Sequence, residues 1–124
     1  MTKRVLLTAS ALGVFAVMIG AFGAHGLKPL LLEHNRLDTF EIAVKYHFYH
    51  TFALIGLALI HERFQLKHVN VVFWLYLTGI VVFSGSLYIL CLTNITVLGA
   101  ITPLGGVLLI AGWFMLFWGI KKAG

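Results

Sequence analysis

The chain of 124 residues is 60% hydrophobic and only 10% charged, and its nine Lys and Arg against four Asp and Glu leave a net charge of +5. A water-soluble domain carries about a quarter charged residues, so the composition argues against a soluble fold. The basic excess does not point to nucleic acid either, because Lys3, Arg4, Arg63, Lys67, Lys121 and Lys122 stand at the ends of apolar runs, where they anchor to headgroups.

Four apolar stretches fill the chain, each near the ~20 residues that a helix needs to cross a bilayer. They predict an all-α polytopic membrane protein, a four-helix transmembrane bundle with spans at about 5–25, 42–61, 70–92 and 96–120 in one domain, residues 1–124. The first span begins like a signal peptide, with Lys3 and Arg4 before an apolar run. Signal cores run about 7–15 residues, and this run of near twenty favours a retained helix, with cleavage as the alternative. Gly26 suits a left-handed cap and Pro29 follows it, a stop signal for that helix.

Residues 30–36 read as a short loop. Asp38-Thr39-Phe40-Glu41 reads as a capping box. Leu37, Phe40, Val44, His47 and Thr51 recur at helical spacing, and Glu41 and Lys45 form an i,i+4 pair. This predicts a short amphipathic segment at the outer interface between spans one and two. The second span must begin near Ile42, which puts Lys45, Tyr46, His47, Tyr49 and His50 in its first turns. His50 then lies roughly 12 Å along the helix, inside or at the edge of the hydrocarbon.

The third span carries Ser84, Gly85, Ser86 and Tyr88 in its later half. The fourth has two readings. Either Pro103 kinks a helix begun near Ile95, or Thr102 is the N-cap and Pro103 the first helical residue. Small residues recur at close-packing intervals: Ala16, Gly20 and Ala24, then Gly105, Gly112 and Gly119. They serve packing within the bundle or a homo-oligomer seam.

Six of the nine basic residues lie at the N-terminus, in the 61–68 loop and at the C-terminus. Both termini are therefore expected in the cytoplasm, with the protein in the cell membrane. On that topology His25, Tyr46, His50, Ser84, Ser86, Tyr88 and Thr102 all fall in the outer half and form a candidate polar pocket. Intramembrane polar residues face a bundle interior or a wet cavity. Two readings stay open: the groups bond one another as structural glue, or they hold a ligand, ion or proton.

Sharper chemistries find little support. His47 and His50 lie i,i+3, but a zinc site needs three or four converging ligands, and no carboxylate is available in the span. Two histidines on separate helices suit haem, yet none matches His50 in depth. His61-Glu62-Arg63-Phe64-Gln65 misses the zinc-protease pattern, with glutamine in the place of the second histidine. Cys91 is the single cysteine, so no internal disulfide forms. No catalytic residue, metal or cofactor is assigned.

The run from Gly20 to Leu27 (Gly-Ala-Phe-Gly-Ala-His-Gly-Leu), Tyr46-His-Phe-Tyr-His50, Phe83-Ser-Gly-Ser-Leu-Tyr88, Ile101-Thr-Pro-Leu-Gly-Gly106 and Gly112-Trp113 together resemble the YgdD-like family. These are small bacterial inner-membrane proteins, grouped under a domain of unknown function, with small eukaryotic transmembrane relatives. The resemblance spans essentially the whole chain and implies four transmembrane helices, with no activity to carry over. The family often has glutamine where this chain has His47, which leaves His25, Tyr46 and His50 as the better site candidates. The expected function is that of a non-enzymatic membrane protein supporting bilayer integrity or a partner complex, its polar residues holding the bundle or binding a lipid headgroup. The alternatives are a small oligomeric transporter or channel subunit, and a haem- or metal-linked redox subunit.

Overall fold

The computed structural model describes residues 1–124. Five α-helices follow one another: α1 Thr2–Ala24, α2 Lys28–Glu33, α3 Leu37–Phe64, α4 Val69–Thr93 and, after a 3₁₀ turn at Thr96–Ala100, α5 Thr102–Lys122. α1, α3, α4 and the unit Thr96–Lys122 are each long and apolar enough to cross a membrane. The termini and the α3–α4 turn share one end of the bundle, hereafter the terminal face. Residues 25–36 and 94–101 form the link face.

Neighbours in sequence are neighbours in space, as short connections dictate. α1 packs on α3, α3 on α4 and α4 on α5, so α3 and α4 are central and α1 and α5 flank them. The main apolar core lies toward the terminal face. It includes Val5, Ala9, Leu54, Leu57, Phe73, Tyr76, Leu109 and Leu116. Smaller clusters, Leu31–Phe40–Cys91 and Ala43–Leu87–Leu90, occupy the link-face half.

Close approach of α5 to α4 depends on missing side chains. A Cβ on Gly112 would lie 2.7 Å from Tyr76 Cδ1, and one on Gly105 would lie 2.7 Å from the Cα of Phe83. With little hydrophobic drive between helices in lipid, van der Waals contact at such small residues holds them together. The glycine series predicted as either packing or seam is thus spent inside the chain, since Gly119 also faces Leu66.

Several boundaries differ from those read in the sequence. Residues 30–36 are not all loop, because Lys28–Glu33 form α2, with Pro29 near its start. The amphipathic stretch is not a separate interfacial segment. It is the first part of α3, which runs unbroken from Leu37 because Phe40 is buried against Leu31 and Cys91. The capping box does not form: Arg36 is the N-cap and no side chain caps the helix, while Asp38 stays in the first turn. There it favours the positive helix end.

Gly26 is not left-handed, because the chain passes through a tight turn, Leu27 N–H donating to Phe22 O at 2.8 Å, directly into α2. Among non-glycine residues, positive φ values fall on Asn35, Gln65 and Asn94, at 55°, 51° and 56°. Asparagine tolerates this region best among non-glycine residues. Pro103 begins α5 rather than kinking it. Ile101 is the N-cap, Thr102 the first helical residue, and Pro103 the second, where a missing N–H costs nothing.

On the terminal face, cations rest on aromatic rings: Arg4 on Phe73 and Trp74, each at 5.3 Å, and Lys122 on Trp118 at 4.9 Å. Thr2 Oγ1 donates to Glu62 Oε1 at 2.5 Å and ties α1 to α3. On the link face, Arg36 Nε donates to Asn94 Oδ1 at 3.1 Å, and His34 Nδ1 pairs with Cys91 O at 3.0 Å. Both ends of the bundle are therefore stapled by polar pairs outside its apolar interior.

Candidate functional site

The intramembrane polar side chains form two tiers. The first joins α3, α4 and α5 in the link-face half. Ser84 Oγ donates to the Ala43 carbonyl at 2.8 Å, and both residues are buried. Tyr88 Oη lies 2.8 Å from His47 Nδ1 and 3.5 Å from the same Ala43 carbonyl. On the other side of α4, Ser86 Oγ bonds Thr102 Oγ1 at 2.6 Å and reaches Phe83 O at 3.0 Å. A helix carbonyl keeps a second lone pair after its own helical bond, which is why Ala43 serves as an acceptor for a neighbouring helix.

The second tier sits deeper, around His50. α3 spans Leu37–Phe64, so His50 lies thirteen residues from its start and fourteen from its end. Its Nδ1 lies 2.8 Å from the Tyr46 carbonyl one turn back, and its Nε2 receives the indole N–H of Trp113 at 3.0 Å. An indole nitrogen only donates, so Nε2 must be the unprotonated acceptor and Nδ1 must carry the hydrogen. One neutral tautomer satisfies both atoms. Rings close the space around it, with Tyr76 at 5.7 Å and Trp113 edge-on at 5.9 Å. Offset and edge-on geometries of this kind add to the packing of aromatic groups.

The structure brings together most, not all, of the residues singled out in the sequence. Ser84 and Tyr88 meet at Ala43, and Ser86 meets Thr102. His50 stands one tier deeper than the link-face half, because α3 starts five residues before Ile42 and extends to Phe64. Tyr46 contributes its carbonyl to His50 and stacks its ring on Phe83 at 4.7 Å. His25 stands apart, exposed at the end of α1. No α1 side chain enters the network: Thr8 and Ser10 bond their own helix at Arg4 O and Leu6 O.

Trp113 and Tyr76 were not among the residues singled out, and His47 was weighed with His50 as a metal pair and then set behind His25, Tyr46 and His50. Trp113 entered the sequence reading only within the Gly112-Trp113 motif, and it lies eleven residues into α5, with nine to follow. That depth was the available signal, since interfacial tryptophans sit near helix ends. His47 is 4% exposed, and its Nε2 has no hydrogen-bond partner. Tyr76 is fully buried, and its hydroxyl has no partner.

No three His, Cys, Asp or Glu side chains converge on one point. Open volume lies away from both tiers. A groove of about 320 Å³ between α1 and α3 at the link face is lined by Gly20, Gly23, Phe40, Glu41, Val44, Lys28 and Lys45, among others. A cavity of about 500 Å³ opens at the terminal face.

A family described as a protein of unknown function (DUF423) matches residues 19–106. That segment holds every member of the two tiers except Trp113. Among known proteins, the chain is similar to a UPF0382 membrane protein of Staphylococcus saprophyticus, 50% identical over 109 residues, covering 88% of this chain and 89% of that one. It is also similar to the UPF0382 membrane protein YwdK of Bacillus subtilis, 45% identical over 104 residues, covering 83% of this chain and 84% of the relative. No solved structure matches it.

Proposed function

The chain belongs to the DUF423 family of membrane proteins, and from that premise we propose that it is a non-enzymatic structural protein of the cell membrane that seats a phospholipid headgroup in the groove between α1 and α3. One observation carries this reading. Ser84, Ser86, Tyr88 and Thr102 are engaged within the bundle, and His50 uses both ring nitrogens, one on its own helix and one to tie α3 to α5. The groove at the link face is open and brings charged side chains together beside an apolar floor.

The groove has the character of a headgroup site. Gly20, Gly23, Phe40 and Val44 supply an apolar floor, and Lys28, Lys45 and Glu41 bring both signs of charge to it. A headgroup with a phosphate and an ammonium, such as phosphoethanolamine, pairs its phosphate with the lysines and its ammonium with Glu41. Native mass spectrometry of the protein purified in mild detergent tests this. Wild type is expected to retain phosphatidylethanolamine, and Lys28→Gln/Lys45→Gln to lose most of it. Glu41→Gln should shift retention toward lipids without an ammonium. An unchanged lipid profile in all three variants overturns the reading.

In this reading the terminal face is cytoplasmic. It carries Lys3, Arg4, Arg63, Lys67, Lys121 and Lys122 but only one acidic residue, Glu62, whereas the link face together with the first turns of α3 carries Lys28, Arg36 and Lys45 against Glu33, Asp38 and Glu41. Such a bias supports retention of that face in the cytoplasm. A green fluorescent protein fused to the C-terminus is expected to fluoresce, and an alkaline phosphatase fused there to stay inactive. The reverse pattern refutes this orientation.

A further inference from the structure

The terminal-face cavity, about 500 Å³ in volume, lies between the α3–α4 turn and the last turn of α5. Its cationic side chains are Lys67 and Lys122, His68 stands beside them, and no acidic side chain lines it. Phe64, Trp118 and Gly119 form its apolar wall. Lys122 Nζ stands 4.9 Å from the Trp118 ring centroid, a cation–π contact that holds the ammonium at the rim. α4 starts alongside at Val69 with no side chain capping its first turn, so the positive helix end adds to the same field.

We propose that this cavity binds the phosphate of an anionic phospholipid, of the phosphatidylglycerol or cardiolipin class. Cationic groups at the rim and aromatic walls behind them match a molecule that is anionic at one end and hydrocarbon at the other. A free phosphate ester uses the cations but gains nothing from Phe64 and Trp118. The site differs from the α1–α3 groove in one decisive respect. Glu41 there receives an ammonium, whereas here a zwitterionic headgroup finds no carboxylate side chain.

The experiment is native mass spectrometry of the full chain from mixed micelles of phosphatidylglycerol and phosphatidylcholine. Wild type is expected to keep phosphatidylglycerol preferentially. Lys67→Gln and Lys122→Gln should each lower that preference roughly fivefold. Lys3→Gln removes the same charge from the same face, outside the cavity, and should leave the preference unchanged. Gly119→Leu fills the cavity without changing charge, and should lower bound phosphatidylglycerol as well. Maleimide labelling of the buried Cys91 identifies variants that keep their fold, and the lysine variants suffice if Gly119→Leu does not. The proposal fails if wild type shows no preference, or if Lys3→Gln lowers it as much as Lys122→Gln. It also fails if millimolar glycerol phosphate displaces the lipid as readily from wild type as from Gly119→Leu.

Discussion

Gly105→Ala is expected to lower the thermal midpoint of the detergent-solubilised protein sharply, while Gly85→Ala, a methyl added to the partner helix, leaves it unchanged or raises it. A Cβ on Gly105 would collide with the backbone of Phe83, 2.7 Å from its Cα, and backbone has no rotamer through which to yield. α4 and α5 must then part. Their separation loosens the contact of Gly79 with Leu109 and stretches the 2.6 Å bond between Ser86 and Thr102. Overpacking of this kind costs about 1–3 kcal/mol, and more where backbone must move. Gly85 has nothing within 4 Å of the position its Cβ would take, and alanine is the better helix former by about 1 kcal/mol. The single cysteine supplies the measurement. Cys91 is fully buried, so a fluorogenic maleimide reports the opening of the bundle as temperature rises. Equal shifts for the two variants would mean that α4 and α5 do not meet at Gly105.

That contrast also marks how far the sequence could be read. The four spans were legible because an apolar run long enough to cross a bilayer declares itself without reference to any partner. The glycine spacing of Gly105, Gly112 and Gly119 was visible too, but the face it serves was not. A helix interface is set by rotation about the axis, and Gly105 turns toward Phe83 of the same chain. Boundaries erred where tertiary contact outweighed local signals. α3 starts at Leu37 rather than Ile42, since burial of Phe40 against Leu31 and Cys91 carries the helix across a stretch that composition marks as interfacial. Ser84, Ser86, Tyr88 and Thr102 were identifiable by their cost in hydrocarbon. The acceptor shared by Ser84 and Tyr88, the Ala43 carbonyl, belongs to an alanine and leaves no mark in a sequence.

The residue hardest to place was the one that explains His50. His50 and Trp113 are 63 positions apart, and nothing local couples them. Their bond is open to a double-mutant cycle. Trp113→Phe leaves the Nε2 lone pair of a 5% exposed ring without its donor, and His50→Ala strands the indole N–H and opens space among Tyr46, Tyr76 and Trp113. A buried polar group left without its partner costs about 1–3 kcal/mol, so each single variant is expected to unfold well below wild type. The loss should be greater for His50→Ala, which also forfeits packing. The double variant should lose less than the sum, with a coupling of about 0.6 kcal/mol and at most about 1.7, the range of interhelical hydrogen bonds in a bilayer. Strict additivity would show that the two side chains do not bond. The same cycle bears on the metal and haem readings of the sequence. A ligand at His50 needs the Nε2 lone pair that Trp113 occupies, so its affinity must rise in Trp113→Phe, where that lone pair is released. Zinc or haem that bound wild type as tightly as Trp113→Phe would mean that His50 is not engaged with the indole, and the clamp between α3 and α5 would have to be assigned to other groups.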